Sequence, residues 1–152
     1  MKSLSRPRDK KELLVRLRAL RADSARRWGR MSAHQMVCHL ADAFLMGTDG
    51  RPVSVASSVA ERTVIKWIAL YAPTRWPQGI RTRPEIDQEV GGTKPTTFAA
   101  DVTALEALVE RVAATRGFFD GRTHPIFGRL SERAWMRWAY LHMDHHLRQF
   151  GV

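Results

Sequence analysis

Between Ala72 and Pro95 the chain carries Pro73, Pro77, Pro84 and Pro95 together with Gly79, Gly91 and Gly92, and a stretch so punctuated can form neither a regular helix nor a central strand. The fold must therefore be built from the segments on either side, joined by one long loop. Both sides are helical in pattern. Leu13, Leu17 and Leu20 recur at helical spacing behind Asp9 and Glu12, a capping arrangement that predicts a helix over about residues 9–22. Ser32 and Gln35 form a second cap signature, followed by an apolar segment that stops at Gly47, so the next helix is expected over 32–46. Its apolar residues Met36, Val37, Leu40, Ala41, Phe44 and Leu45 lie on nearly every side, the pattern of a central helix.

A third helix is expected over 57–71, around Val64, Ile65, Trp67 and Ile68. Phe98, Val102, Leu105, Leu108, Val109 and Val112 then predict a clear amphipathic helix over 97–115. After a connector at 116–130, Ser131 caps a last helix that runs to Phe150 and stops near Gly151. No segment shows strand alternation or an internal repeat. The reading is an all-α, single domain over residues 1–152: a four-helix bundle whose long crossover carries an additional helix and the Pro/Gly-rich loop. Loops of that length are functional or mobile, which makes this one a candidate lid or pocket wall, with a plain crossover as the alternative.

Composition narrows the function classes. With 44% apolar and 26% charged residues, global disorder is not indicated. Residues 1–30 hold eleven Lys/Arg against three Asp/Glu, most of the net charge of +10. That segment could meet phosphates, but a solvated basic helix face explains it as well, and the near-neutral remainder argues against a nucleic-acid protein. Cys38 has no cysteine to pair with, and no apolar run is long enough for a secretory core or a membrane span, so cytoplasm is the expected location and no membrane partner is expected.

The histidines carry the chemistry. On a helical wheel for the last helix, Arg133, Arg137, Asp144 and Arg148 form a charged stripe expected to face water. His142 and His146, one turn apart, point the opposite way and continue the inward line of Trp135, Trp138 and Ala139. Buried imidazoles need partners, and a pair at i and i+4 can converge on one metal ion or hydrogen-bond as core histidines. A third imidazole changes the balance. His39 lies in helix two on a seam with Gln35, Met36, Asp42, Ala43 and Met46, so the expected metal ligands are His39, His142 and His146.

Among the other histidines, His34 is expected at the surface, His145 half-exposed at the flank of the site, and His124 is uninformative. Asp42, Gln35 or His145 could orient a ligand imidazole or relay a proton, and no residue is assigned as catalytic. Lys94, Arg81 and Trp76 on the loop could meet an anionic substrate. Cys38 reads as core packing, not as a nucleophile.

The segments His142-Met143-Asp144-His145-His146 with Gln149, and Cys38-His39-Leu40-Ala41-Asp42, resemble the motifs of the DinB-like (DinB/YfiT) metal-binding four-helix bundles. Gly91-Gly92-Thr93-Lys94-Pro95 and His124-Pro125-Ile126-Phe127-Gly128 further resemble an uncharacterised branch of that superfamily, and the likeness covers most of residues 30–151. It implies a divalent metal with open coordination positions on His39, His142 and His146, frequently a homodimer, and small-molecule substrates that include low-molecular-weight thiols. It implies no single activity.

Two functions follow. One is an enzyme of transferase or hydrolase type, in which the unsaturated ion, be it zinc, nickel, iron or manganese, activates water or a thiol. The other is a non-catalytic metal-binding or regulatory module, with the basic leading segment binding a partner or nucleic acid.

Overall fold

The computed structural model describes residues 1–46, 52–55 and 58–152. Its helices are α1 (Pro7–Ala19), α2 (Ala33–Leu45), α3 (Lys66–Tyr71, continuing from a π-helical turn at Glu61–Ile65), α4 (Phe98–Ala114) and α5 (Glu132–Gln149). Among the described residues there is no strand; a single antiparallel bridge joins His124 to Gly128. The chain is thus all-helical, as its periodicity predicts. Gly47, expected to end helix two, and residue 57, expected to begin the third, lie outside the described residues.

The caps explain where the helices start. Ser32 accepts from the Gln35 amide while the Gln35 side chain accepts from the Ser32 amide, the full reciprocal box that the sequence predicts. Ser131 accepts from the Ala134 amide at the start of α5. At α1 the expected cap fails. That helix begins with Pro7 in its first turn, where a missing N–H costs nothing, and Asp9 turns back instead to accept from the Ser3 amide.

α2 packs chiefly on α4, α1 on α5 and α4, and α5 on α2 and α3. Between them lie Leu13, Leu17, Val37, Leu40, Phe44, Leu105, Val109, Trp135, Met143 and Leu147, all buried.

Two expectations about the helix faces are corrected. The charged stripe of α5 is largely covered: Arg16 of α1 pairs with Asp144 at 2.7 Å, and Arg137 donates to the carbonyl oxygens of Leu70 and Lys2. Only Arg133 of that stripe is exposed. A wheel shows which residues share a face, but not that a second charged helix lies against it. The apolar face expected for the third helix is outside: Val64 and Trp67 are each 62% exposed, and only Leu70 of α3 is buried.

Candidate metal centre

α2 and α5 run side by side with His39 on one and His142 and His146 on the other, and the three rings face a common point. Ring centroids are 5.2 Å apart for His39 and His142, 4.8 Å for His39 and His146, and 4.8 Å for His142 and His146. One ligand nitrogen from each residue can be chosen so that all lie within 4.8 Å of one another. The sequence-predicted trio is therefore brought together in space, with His39 and His146 buried and His142 partly so.

The outer ring nitrogens decide which inner ones are free. His39 Nδ1 is 2.9 Å from the carbonyl oxygen of Ile86, which only accepts, so Nδ1 carries the proton and Nε2 keeps its lone pair. His146 Nδ1 is 3.0 Å from Gln149 Oε1. The Gln149 amide nitrogen is committed to the Trp28 carbonyl at 2.8 Å, which fixes the amide so that its oxygen faces His146. His146 is thus held with Nε2 free. His142 differs: Trp138 stacks on its ring at 5.0 Å, and its Nδ1 is a buried atom without a hydrogen-bond partner.

His39 Nε2 and His142 Nε2 face each other at 3.3 Å. Metal–nitrogen bonds of about 2.0–2.1 Å in a tetrahedral arrangement separate two ligand nitrogens by about 3.3 Å, so this pair is spaced for a shared ion. A hydrogen bond between the two rings is the other way to fill that gap, but it would require His142 to donate from Nε2 and leave Nδ1 as a bare buried acceptor. With a metal on Nε2 the same Nδ1 carries the proton and is a buried donor without a partner, so that atom does not separate the two arrangements. The set of three imidazole donors within 4.8 Å is what fits a metal ion.

Burial drives all three imidazoles below their ordinary pKa, and the mutual repulsion of the rings depresses His142 and His146 further, well below the usual value. Neutral rings at neutral pH are the form that binds metal.

Aromatic rings from two loops stand beside His142 and His145. Trp76 stands 6.2 Å from His142 and 6.0 Å from His145, and Trp28 stands 5.9 Å from His145. Trp76 is fixed by donating its Nε1–H to the Ala69 carbonyl at 2.7 Å. Of the loop residues expected near substrate, Trp76 is there. Arg81 is exposed, and Lys94 is tied to the Gln88 carbonyl.

The residues expected to orient the imidazoles do other work. Gln35 is spent in the α2 cap. Asp42 accepts from the Gln88 side chain at 2.9 Å, from the Thr93 amide at 2.8 Å and from the Thr93 hydroxyl at 2.7 Å, so it anchors the crossover loop. That same loop presents the Ile86 carbonyl to His39, and Asp42 therefore acts on the imidazole at one remove. Gly92 belongs to this anchor, since a Cβ there would lie 2.8 Å from the Asp87 carbonyl carbon. His145 flanks the site at 5.2 Å from the His146 ring, with its own Nδ1 buried and unpartnered.

The remaining expectations resolve as follows. Cys38 is buried, and burial followed by the Asp101 carboxylate pushes its thiol up to about 12, which suits packing and not nucleophilic attack. His34 is partly buried and tied down: its Nε2 lies 2.6 Å from Asp101, with the side chain 19% exposed. His124 is buried, and its Nδ1 accepts from the Ile126 and Phe127 amides at 3.1 Å each, which shapes the connector. Part of the basic leading segment pairs within the chain, Lys2 with Glu12, Lys10 with Glu110, Arg16 with Asp144, Arg18 with Glu106 and Arg30 with Asp87. No helix of the described residues is long and apolar enough to cross a membrane.

Ile86 and Trp28 are the neighbours of the trio that sequence reasoning missed; Gln149 stands in the final-helix motif, which assigns it no role. The sequence profile of a family described as "Protein of unknown function (DUF1569)" matches residues 3–151. No curated protein matches the chain, and no solved structure does.

Proposed function

The chain belongs to the DUF1569 family of proteins of unknown function, and we propose that it is a metal-dependent enzyme in which His39, His142 and His146 hold one divalent ion through Nε2. The observation that carries this reading is the pinning of the outer nitrogens of His39 and His146 by Ile86 and Gln149, which leaves Nε2 of each ring free, that of His39 being 3.3 Å from His142 Nε2. Three neutral ligands leave coordination positions open, and a bound divalent ion supplies Lewis acidity to a water or thiol there.

The chain's own residues do the rest. The Trp138 stack and the α2–α5 packing hold the rings in place, while Trp76, Trp28 and His145 shape the mouth and limit water around the reacting atoms. The substrate is a small molecule, and a low-molecular-weight thiol is the co-reactant favoured by the DinB-like resemblance. Within that resemblance α1, α2, α4 and α5 are the four-helix bundle and α3 lies in the crossover, with a homodimer the frequent assembly of the superfamily; the unpaired Cys38 fits a cytoplasmic location. The near balance of charge outside residues 1–30 weighs against a nucleic-acid role.

Protein purified without a histidine tag, assayed for metal content and then for metal-dependent turnover of electrophilic substrates with a panel of thiols and with water, tests this reading. A bound transition metal and turnover that chelation abolishes are expected. Bound metal with no exchangeable water or thiol position would instead favour a structural staple between α2 and α5.

A further inference from the structure

One turn before His39, and on a different face of α2, a second set of metal-ligating side chains converges. His34 and Cys38 are spaced i and i+4, so both project toward the first turn of α4, where Asp101 meets them. The Asp101 carboxylate lies 2.6 Å from His34 Nε2 and 3.6 Å from Cys38 Sγ. One ligand atom from each of the three lies within 4.8 Å of the others. None of them belongs to the trio of the main centre.

We propose that His34, Cys38 and Asp101 form a second site, for a divalent ion of borderline softness such as zinc, held by imidazole, thiolate and carboxylate at the junction of α2 and α4. The donor set favours such an ion over magnesium or calcium, which take oxygen ligands. The thiolate and the carboxylate together neutralise a dication, whereas the main centre's three neutral rings leave its charge uncompensated. The supports around the ligands are present. The Thr96 hydroxyl and amide donate to the two oxygens of Asp101, at 3.0 Å and 2.9 Å, and fix the carboxylate. The His34 ring is set by an edge contact with Phe98 at 5.4 Å.

The observed sulfur-to-oxygen separation already suits two ligands of one ion, while the imidazole must move back from Asp101 by about half an ångström, since ligand atoms of a tetrahedral ion stand about 3.2 Å or more apart. With His34 19% and Asp101 20% exposed, an ion can enter from solvent and a water can complete its shell. Binding releases the Cys38 proton to solvent and forms the metal–sulfur bond, with no change of oxidation state. Without an ion, the same three groups form a hydrogen-bonded junction, and the two states are separable by experiment.

Cobalt(II) added to the full chain is the probe, because thiolate-to-cobalt charge transfer absorbs in the near ultraviolet and the main centre has no sulfur to produce it. The wild type should show that band and bind one equivalent more than Cys38→Ser, which should lose the band while keeping visible cobalt absorption from the main centre. His34→Gln, a change at a more exposed position, should lose the band too, and His142→Ala should retain it. Absence of the band in the wild type overturns the proposal. So does a band that survives in His34→Gln, which would mark adventitious binding to the thiol alone. Absence of visible cobalt absorption in Cys38→Ser, with the band intact in the wild type, would overturn the main centre and leave this site standing.

Discussion

Gln149 Oε1 sits 3.0 Å from His146 Nδ1, and the same amide reaches back 2.8 Å to the carbonyl of Trp28. The contact ties the end of α5 to the loop that follows α1, and it sets which nitrogen of His146 is free. Gln149→Leu is expected to weaken metal binding by about 10- to 100-fold with little change in fold, as loss of such an outer partner does at other metal sites. Competition against a chromophoric chelator measures this. Gly29→Ala should act in the same direction: Gly29 has φ +75°, and a Cβ there would lie 2.6 Å from Gln149 Nε2.

Asp42 and His39 are joined through the crossover loop. Removing the carboxylate deletes the acceptor of the Gln88 and Thr93 hydrogen bonds, so Asp42→Ala is expected to lower unfolding free energy by about 2–4 kcal/mol. Because the Ile86 carbonyl moves with the loop, metal affinity should fall as well. Urea denaturation and chelator competition on one sample separate the two losses. A loss of stability with affinity untouched would break the link between Asp42 and His39.

Acid should destabilise the metal-free protein early. Burial lowers His124 from 6.5 to about 3, and its Nδ1 must stay unprotonated to accept two amides. Below about pH 6.5 the unfolded chain takes up a proton that the native chain refuses, so the unfolded state binds more protons and stability falls as pH drops from about 6.5 toward 3. Each such histidine contributes a slope of up to about 1.4 kcal/mol per pH unit. His39, His142 and His146 are also depressed and add to the slope in the same sense. Urea midpoints across that range should be visibly flatter for His124→Asn, whose amide oxygen can still accept from the connector.

The Trp76 ring stands 6.2 Å from that of His142 and 6.0 Å from that of His145, and in the proposed function it frames the entrance without holding the ion. Trp76→Ala should therefore leave metal content unchanged and alter substrate or thiol affinity, read as a change in KM with metal stoichiometry constant. Loss of the metal in this variant would mean that the loop holds the ion in place and does not merely frame the entrance.

Much of this architecture is legible in the chain. The Ser32–Gln35 box, the periodicity of 98–112 and the inward line of Trp135, Trp138, His142 and His146 are local patterns, and local patterns determine helices and their faces. The convergence of His39 with the other two rings follows once both inward faces are known. What escapes is set by tertiary contact. Ile86 acts through a backbone carbonyl, which has no signature in the side chain. The cover over Asp144 comes from Arg16, far away in sequence, and a wheel cannot say which helix will lie on a charged stripe. Val64 and Trp67 look like core residues by type, yet the π-helical turn ahead of α3 and the few neighbours there leave them outside.

The most direct test of the metal centre is elemental analysis of untagged protein in a Cys38→Ser background, which keeps any thiolate-bound ion out of the count. Close to one transition-metal ion per chain is predicted, falling to background in His39→Ala, His142→Ala and His146→Ala variants that still show native helical circular dichroism. Metal content that is unchanged in all three folded variants would contradict the account.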